Sequence, residues 1–300
     1  MSTLEIVAYV YLGLGLLYAL WVWLFKGSSI FSIPLNTIFG PAYILGMAIH
    51  FVTWKKPTIY KAFQDKEAVI FDLDGTIVDD QPQWDEAIEN VKERTQLGLE
   101  RNYPSGLNVR AKWEQLLSAM SEPAPLSIDE LVRATKDEFL RLSGGLDVRD
   151  GFWTFARYLK EKGFKIALAS NTDRDVVDIL VERLEIGPVF DVVVAGDEVK
   201  SFKPAPDIYL EAAKRLGVKP REVVAFEDSV VGAESAVAAG IETIIVWDGV
   251  VSKLLYPSDA RLYVEDFDGL DDMVEKTGKQ RLEEAAAAIE AESSEAETAV

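Results

Sequence analysis

A short acidic segment that directly follows an apolar run constrains the fold of this chain more than any other feature. Ala68–Phe71 is short, uninterrupted and rich in β-branched and aromatic residues, which is typical of a buried strand. Asp72 and Asp74 follow it, and the next two residues, Gly75 and Thr76, form a turn signal. The carboxyl ends of strands are where open α/β sheets bind ligands. One such acid can serve as a nucleophile or metal ligand, and its neighbour can serve as a proton donor.

Three later segments extend this pattern. Ser170 and Asn171 follow an apolar run that ends at residue 169, and Glu227 and Asp228 follow another that begins at residue 223. Lys203 lies between them in a Lys-Pro-Ala-Pro segment. From residue 151 onward, helical and strand patterns alternate, which predicts a parallel sheet with helices on both faces.

In this order, the four motifs resemble the haloacid dehalogenase superfamily of phosphotransferases, in particular the branch that contains phosphoglycolate phosphatase and β-phosphoglucomutase. The resemblance extends roughly from Ala68 to Asp248. It implies an α/β fold, a Rossmann-like parallel sheet core with an inserted α-helical cap. The activity it implies is Mg²⁺-dependent hydrolysis of a small phosphate monoester through an aspartyl-phosphate intermediate.

The resemblance also implies a role for each motif residue. Asp72 is expected to be the nucleophile, and Asp74 is expected to protonate the leaving group and then activate water. Ser170 and Lys203 complete the expected catalytic set. These two residues and Asn171 are expected to bind the phosphoryl oxygens.

Composition restricts the metal chemistry. The chain has no cysteine, and its single histidine, His50, lies in an apolar stretch. Any metal in the predicted site is therefore held by carboxylates and carbonyls, the hard oxygen ligands that suit Mg²⁺. The resemblance gives the expected ligands as Asp72, the backbone carbonyl of Asp74, Asp228 and Glu227.

Two alternatives to a phosphatase stay open at the level of sequence. A sugar phosphomutase of the β-phosphoglucomutase type is the first, although Trp84 stands twelve residues after Asp72, where that pattern has a histidine. The second is a phosphate-ligand sensor or membrane scaffold with little turnover. Dehalogenation is disfavoured, because the dehalogenases of the superfamily lack the acid that corresponds to Asp74.

The N-terminal segment predicts a membrane anchor. Ile6–Phe25 is an uncharged run of 20 residues, about the length that spans a bilayer as a helix, and a second uncharged run covers residues 33–54. We expect a two-helix hairpin, with an interfacial or re-entrant second run as the alternative. Lys55, Lys56 and Lys61 follow the second run, so the positive-inside rule predicts a cell-membrane protein whose catalytic domain is cytoplasmic.

The expected domains are the hairpin at 1–56, a linker at 57–66, a catalytic core at 67–80 and 146–275, a helical cap at 81–145 and an acidic Ala/Glu-rich tail at 276–300. A net charge of −19 argues against nucleic acid as a partner. The expected partners are a small phosphorylated metabolite and, through the hairpin, the lipid bilayer.

Several charged residues in and beside the predicted cap receive no firm role from sequence. Four cations are candidates to meet an anionic leaving group, namely Arg94, Arg101, Arg110 and Lys112. Asp79 and Asp80 are expected to be solvated or to orient their loop rather than to take part in catalysis.

Overall fold

The computed structural model describes residues 59–101, 103–118, 120 and 123–275. The predicted membrane hairpin at 1–56 and the predicted tail at 276–300 lie outside these ranges. Within the described ranges, no helix is long and apolar enough to cross a membrane.

One parallel sheet organises the described part of the chain. Its strands are β1 (Ala68–Phe71), β2 (Lys165–Ala169), β3 (Val192–Val194), β4 (Val223–Glu227), β5 (Glu242–Val246) and β6 (Leu262–Val264). They lie in the order β3-β2-β1-β4-β5-β6, and each neighbouring pair is parallel. All four residues of β1 are buried, as expected for a strand that is covered on both faces. The predicted α/β class with a parallel sheet is confirmed.

The described part of the chain forms nine α-helices. They are α1 (Ile59–Ala62), α2 (Gln81–Arg94), α3 (Val109–Leu117), α4 (Ile128–Leu142), α5 (Phe152–Glu161), α6 (Arg174–Arg183), α7 (Asp207–Leu216), α8 (Val230–Ala238) and α9 (Leu270–Glu275). The Ser229 side chain accepts a hydrogen bond from the Gly232 amide and caps the start of α8. A 3₁₀ turn at Gly187–Val189 precedes β3.

The two faces of the sheet bury different side chains. On one face, Phe71 of β1 stacks on Phe226 of β4 with ring centroids 5.1 Å apart, and Phe155 of α5 packs edge-on against Phe226. On the other face, Ile70 packs in a cluster with Tyr209 of α7. Successive strand residues point to opposite faces, so the packing of Ile70 and Phe71 on the two faces holds β1 in register with β4.

Three helices between β1 and β2 occupy the segment predicted as the cap. Helices α2 and α4 pack against each other, and the Trp84 ring stacks on Phe139 at a centroid distance of 3.7 Å. Ser127 and Glu130 form a capping box at the start of α4. The Asn108 side chain accepts a hydrogen bond from the Ala111 amide and caps the start of α3.

The strand order places a switch point between β1 and β4. The chain continues from β1 to β2 and β3 on one side, then crosses to β4 on the other side of β1. Helices that leave adjacent strands in opposite directions open a crevice at the carboxyl ends, where ligands bind in open α/β sheets. The acidic segments that follow β1 and β4 lie beside this crevice.

Candidate active site

A buried ammonium group joins the segments that follow β1 and β4. Lys203 Nζ lies 2.6 Å from Asp72 Oδ1 and 2.5 Å from Glu227 Oε1, and it donates a third hydrogen bond to the Ala169 carbonyl at 2.9 Å. Lys203, Asp72 and Glu227 are all buried. The three donors of the ammonium group are thus satisfied by three different strand ends, which holds Asp72 at the floor of the crevice.

These contacts change the protonation behaviour of both partners. Burial opposes the charge on Lys203, but the carboxylates of Asp72 and Glu227 outweigh it and raise the pKa of the lysine. Burial also raises the pKa of Asp72 well above its ordinary value; Lys203 opposes this rise, whereas Glu227 and Asp228 add to it. Lys203 therefore keeps its positive charge, whereas burial and the neighbouring acids disfavour a negative charge on Asp72.

Three hydrogen-bond donors hold the Asp74 carboxylate. Ser170 Oγ and Thr172 Oγ1 donate to Oδ2 at 2.7 Å and 2.9 Å, and Trp84 Nε1 donates to Oδ1 at 3.0 Å. Ser170 and Thr172 follow β2, whereas Trp84 belongs to α2 of the cap segment. Asp74 is thus oriented by the core and the cap together, a suitable arrangement for a group that must move a proton.

The loop between Asp74 and Thr76 packs closely on Asp228. Thr76 Oγ1 donates to Asp228 Oδ1 at 3.3 Å. Gly75 has a φ of +87°, and a Cβ at this position would lie 2.1 Å from Asp228 Oδ2. A residue without a side chain is needed here both for the backbone conformation and for the close approach of the acid.

Three of the predicted metal ligands lie close enough together to share a cation. Asp72, Glu227 and Asp228 each offer a carboxylate oxygen, and these oxygens lie within 4.8 Å of one another. Burial and the neighbouring Glu227 raise the pKa of Asp228 to about 8. Oε1 of Glu227 is already shared by Lys203 and Tyr209, which leaves Oε2 as its freer oxygen. The hard oxygen donors and the close approach of three carboxylates fit a divalent cation such as Mg²⁺.

Asn171 joins the segment that contains Lys203 to the cap segment. Its side-chain amide donates to the Gly106 carbonyl at 2.9 Å, and its side-chain oxygen accepts from the Lys203 amide at 2.9 Å. Gly106 approaches the core so closely that a Cβ would lie 2.4 Å from Ser229 Oγ. The loop before α3 therefore covers the site, and Asn171 couples its position to that of Lys203.

The structure separates Asp79 from Asp80, for which the sequence gives one shared expectation. Asp79 is largely exposed and lies 3.8 Å from Arg149. Asp80, by contrast, is not solvated: it is fully buried at the start of α2, and neither carboxylate oxygen accepts a hydrogen bond from any described residue. Burial and then Asp74 raise the pKa of Asp80 well above its usual value, and in its protonated form it can donate to Asp74.

Sequence reasoning missed several contacts of the site. Trp84 was interpreted only as a departure from the phosphomutase pattern, yet it contacts Asp74 directly. Tyr209, whose hydroxyl donates to Glu227 at 2.7 Å, has the helical spacing of an ordinary core residue. Thr172 follows the recognised Ser-Asn pair and is the one residue of this group that a motif could have found.

Comparison with known proteins is consistent with this geometry. Residues 66–240 match the family model described as haloacid dehalogenase-like hydrolase. Phosphorylated carbohydrates phosphatase from Thermotoga maritima is 36% identical over 194 residues, which cover 63% of this chain and 87% of the relative. Fructose-1-phosphate phosphatase from Escherichia coli is 31% identical over 186 residues, which cover 59% of this chain and 95% of the relative. The crystal structure of CbbY from Rhodobacter sphaeroides with phosphate superimposes with a TM-score of 0.60 at 27% identity, covering 68% of this chain and 96% of CbbY.

The fold and the acidic crevice define a hydrolase with a parallel α/β core. The chain belongs to the haloacid dehalogenase-like hydrolase family, because the family model covers more than half of its length. Its named phosphatase relatives place it among the phosphoric monoester hydrolases of that family.

Replacement of Asp228 by asparagine should raise stability in the absence of divalent cations. An acid whose pKa is raised on folding loses stability as the pH rises from its unfolded value to its folded value, here from about 4 to about 8. At pH 8 without metal, we expect Asp228→Asn to raise the Tm by about 3–8 °C, and we expect Mg²⁺ to raise the Tm of the wild type more than that of the variant. Thermal unfolding with and without Mg²⁺ measures both effects.

Asp79→Asn is the matched control, because this acid has the same size and a side chain that is 66% exposed. Its Tm should stay within about 2 °C of the wild type, and its response to Mg²⁺ should be unchanged. An equal Mg²⁺-induced rise in the Asp228→Asn variant would contradict a cation site that includes Asp228.

Trp84→Phe should lower turnover more than substrate binding. A phenyl ring at position 84 can still stack on Phe139, but it lacks the indole N–H that donates a hydrogen bond to Asp74. We expect kcat for phosphate-ester hydrolysis to fall about 5- to 50-fold with KM changed less than about threefold, since the lost bond orients a proton-transfer group. Steady-state kinetics measure this, and a change confined to KM would show that Trp84 contacts substrate instead.

Proposed function

We propose that this protein is a Mg²⁺-dependent phosphatase that hydrolyses a small phosphorylated sugar or a related phosphate monoester through an aspartyl phosphate on Asp72. The observation that supports this most strongly is the position of Asp72, held by Lys203 at the floor of a covered crevice, with Asp74 beside it. Relatives named for phosphorylated carbohydrates and for fructose 1-phosphate support the substrate class.

The first half of the reaction breaks the ester bond. A carboxylate oxygen of Asp72 attacks phosphorus, and the P–O bond to the leaving group breaks with its electron pair on the leaving oxygen. Asp74 gives that oxygen a proton, so an alcohol departs. Lys203 offsets the charge of the nucleophile and the phosphoryl oxygens, which lets two anions approach each other. Ser170 Oγ and the Asn171 amide are the proposed donors to the remaining phosphoryl oxygens.

The second half returns the enzyme to its starting state. Asp74 accepts a proton from water, the water oxygen attacks phosphorus, and the bond between phosphorus and the Asp72 oxygen breaks. Inorganic phosphate leaves, and both carboxylates regain their original forms. The loop that contains Gly106 covers the crevice in which both halves of the reaction are proposed to occur.

Magnesium is part of the proposal because the donor set fits it. Asp72, Asp228, the Asp74 carbonyl and Glu227 are the residues proposed to hold the ion. When bound, Mg²⁺ offsets the excess negative charge of the buried acids and polarises the phosphoryl group. Lys203 is a single cation, so a bound divalent ion would supply the positive charge that three ionised carboxylates need in addition to it.

Hydrolysis fits the contacts of Trp84 better than phosphomutase activity. A mutase must protect its aspartyl phosphate from water and rebind a bisphosphate, and its pattern places a histidine where this chain has Trp84. Here the indole N–H donates to Asp74 and has no basic nitrogen with which to accept a proton. Proton transfer to the leaving group and from the attacking water therefore rests on Asp74.

The full-length chain should release phosphate from small sugar phosphates in the presence of Mg²⁺. Asp72→Asn removes the nucleophile and should lower kcat at least about 10³-fold, and Asp74→Asn should lower it about 10²- to 10⁴-fold. A chelator should abolish turnover, and added Mg²⁺ should restore it. Phosphate release from a panel of esters measures all of these effects.

Asp79→Asn serves as the control, because its exposed side chain is outside the crevice. It should retain wild-type turnover. Interconversion of sugar phosphates without net phosphate release would favour the mutase. Absence of both activities in a folded chain that binds phosphate esters would favour the sensor.

Attachment to the cell membrane through residues 1–56, with the catalytic domain in the cytoplasm, is a further part of the proposal. It rests on the uncharged runs at residues 6–25 and 33–54 and on the lysines that follow the second run. The full-length chain should stay in the membrane fraction after an alkaline carbonate wash, whereas a chain lacking residues 1–56 should not. Release of the full-length chain by the wash would overturn the anchor.

A further inference from the structure

One cation of the cap segment differs from the others in its surroundings. Lys112 of α3 is 4% exposed and lines a cleft that Asp72, Asp74 and Lys203 line from the core side. The other three cations singled out from sequence are substantially exposed and ion-paired: Arg94 with Glu138, Arg101 with Asp85 and Arg110 with Asp129. Lys112 is thus the member of this group whose charge is directed to the cleft instead of a surface carboxylate.

The Lys112 ammonium group has aromatic neighbours but no counterion. Nζ lies 5.9 Å from the centroid of the Trp84 ring and 5.6 Å from that of the Tyr103 ring. It forms no ion pair and no side-chain hydrogen bond with any described residue. Burial lowers the pKa of Lys112, although more distant acids, Asp85 first, oppose this. The faces of two rings offset part of the cost of burying an ammonium group, and a contacting anion would offset much more.

The nearby acids do not account for this arrangement. Asp74 already accepts hydrogen bonds from Ser170, Thr172 and Trp84, so both of its oxygens have donors without Lys112. Asp85 accepts from Gln81 and pairs with Arg101. A lysine kept merely to balance these charges would gain most by contacting one of them, and Lys112 contacts neither.

The position of Lys112 relative to the catalytic residues indicates which part of a substrate it meets. Asp72 and Lys203 bind the phosphoryl end at the floor of the cleft, so the leaving group extends toward the residues that the cap contributes to the lining, which are Gln81, Trp84, Gly106, Leu107, Asn108, Val109 and Lys112. Among these residues Lys112 is the one with a positive charge. An anionic substituent on the leaving group would therefore find its counterion there.

We propose that Lys112 determines specificity by binding a second anionic group, a carboxylate or a phosphate, on the leaving group of the substrate. This inference rests on the proposed phosphatase function and narrows it from small phosphate esters in general to esters with two anionic groups. A compact ammonium with three donors suits either group.

The test compares matched substrates in the full-length protein with Mg²⁺. One pair is glycerol 3-phosphate and 3-phosphoglycerate, which adds a carboxylate; the other is fructose 1-phosphate and fructose 1,6-bisphosphate, which adds a phosphate. We expect wild-type kcat/KM to favour the doubly anionic member of at least one pair about tenfold or more. Lys112→Met should remove most of this preference, chiefly through KM. The pair that responds identifies the second group as carboxylate or phosphate.

Lys92→Met is the matched control, because Lys92 is a buried lysine of the cap segment that is 6% exposed and pairs with Glu89. It is outside the cleft lining and should keep the wild-type preference. A wild type without preference in either pair would overturn the inference, as would an equal loss on both members in Lys112→Met. No phosphate release from any ester by the wild type would instead overturn the phosphatase function itself.

Discussion

The buried ion pair network around Lys203 is the interaction on which the site depends. Its ammonium group contacts Asp72 after β1, Glu227 at the end of β4 and the Ala169 carbonyl at the end of β2. Three adjacent strands are therefore joined at the edge where the chemistry is proposed. Removal of the lysine would leave two buried carboxylates without a cation, which is far costlier than the loss of an exposed salt bridge. The arrangement fits a nucleophile that must stay close to anionic substrates.

The cap segment completes the site in two ways. It shapes the cleft, because the Gly106 loop is tied to Asn171 and packs on Ser229. It also contributes a hydrogen bond to the site, because Trp84 donates to one carboxylate oxygen of Asp74 and Ser170 and Thr172 donate to the other. The same segment therefore both orients Asp74 and faces the proposed leaving group. If Lys112 binds that group, substrate specificity and the orientation of Asp74 depend on the same part of the cap segment.

Much of the fold and of the core side of the site could be predicted from sequence. The apolar run at 68–71 and the later alternation of helices and strands predicted the parallel sheet, because strands covered on both faces need continuous apolar residues. Asp72, Asp74, Ser170, Lys203 and Asp228 could be singled out since each follows a strand or lies in a short motif. The burial of Asp80 could not be predicted, because Asp79 and Asp80 are adjacent acids in one loop and only tertiary packing makes their exposure different.

The sequence by itself determined which residues stand at the carboxyl ends of the strands, because chain order and strand periodicity are local properties. Tertiary structure alone decided which distant residues meet them. Helix α2 packs on α4, and Trp84 of α2 donates a hydrogen bond to Asp74. Lys112 is buried, whereas Arg94, Arg101 and Arg110 are exposed and ion-paired, and this difference in burial is decided by packing. Burial and pairing depend on contacts between segments far apart in the chain, and these contacts set the free energy of each charge.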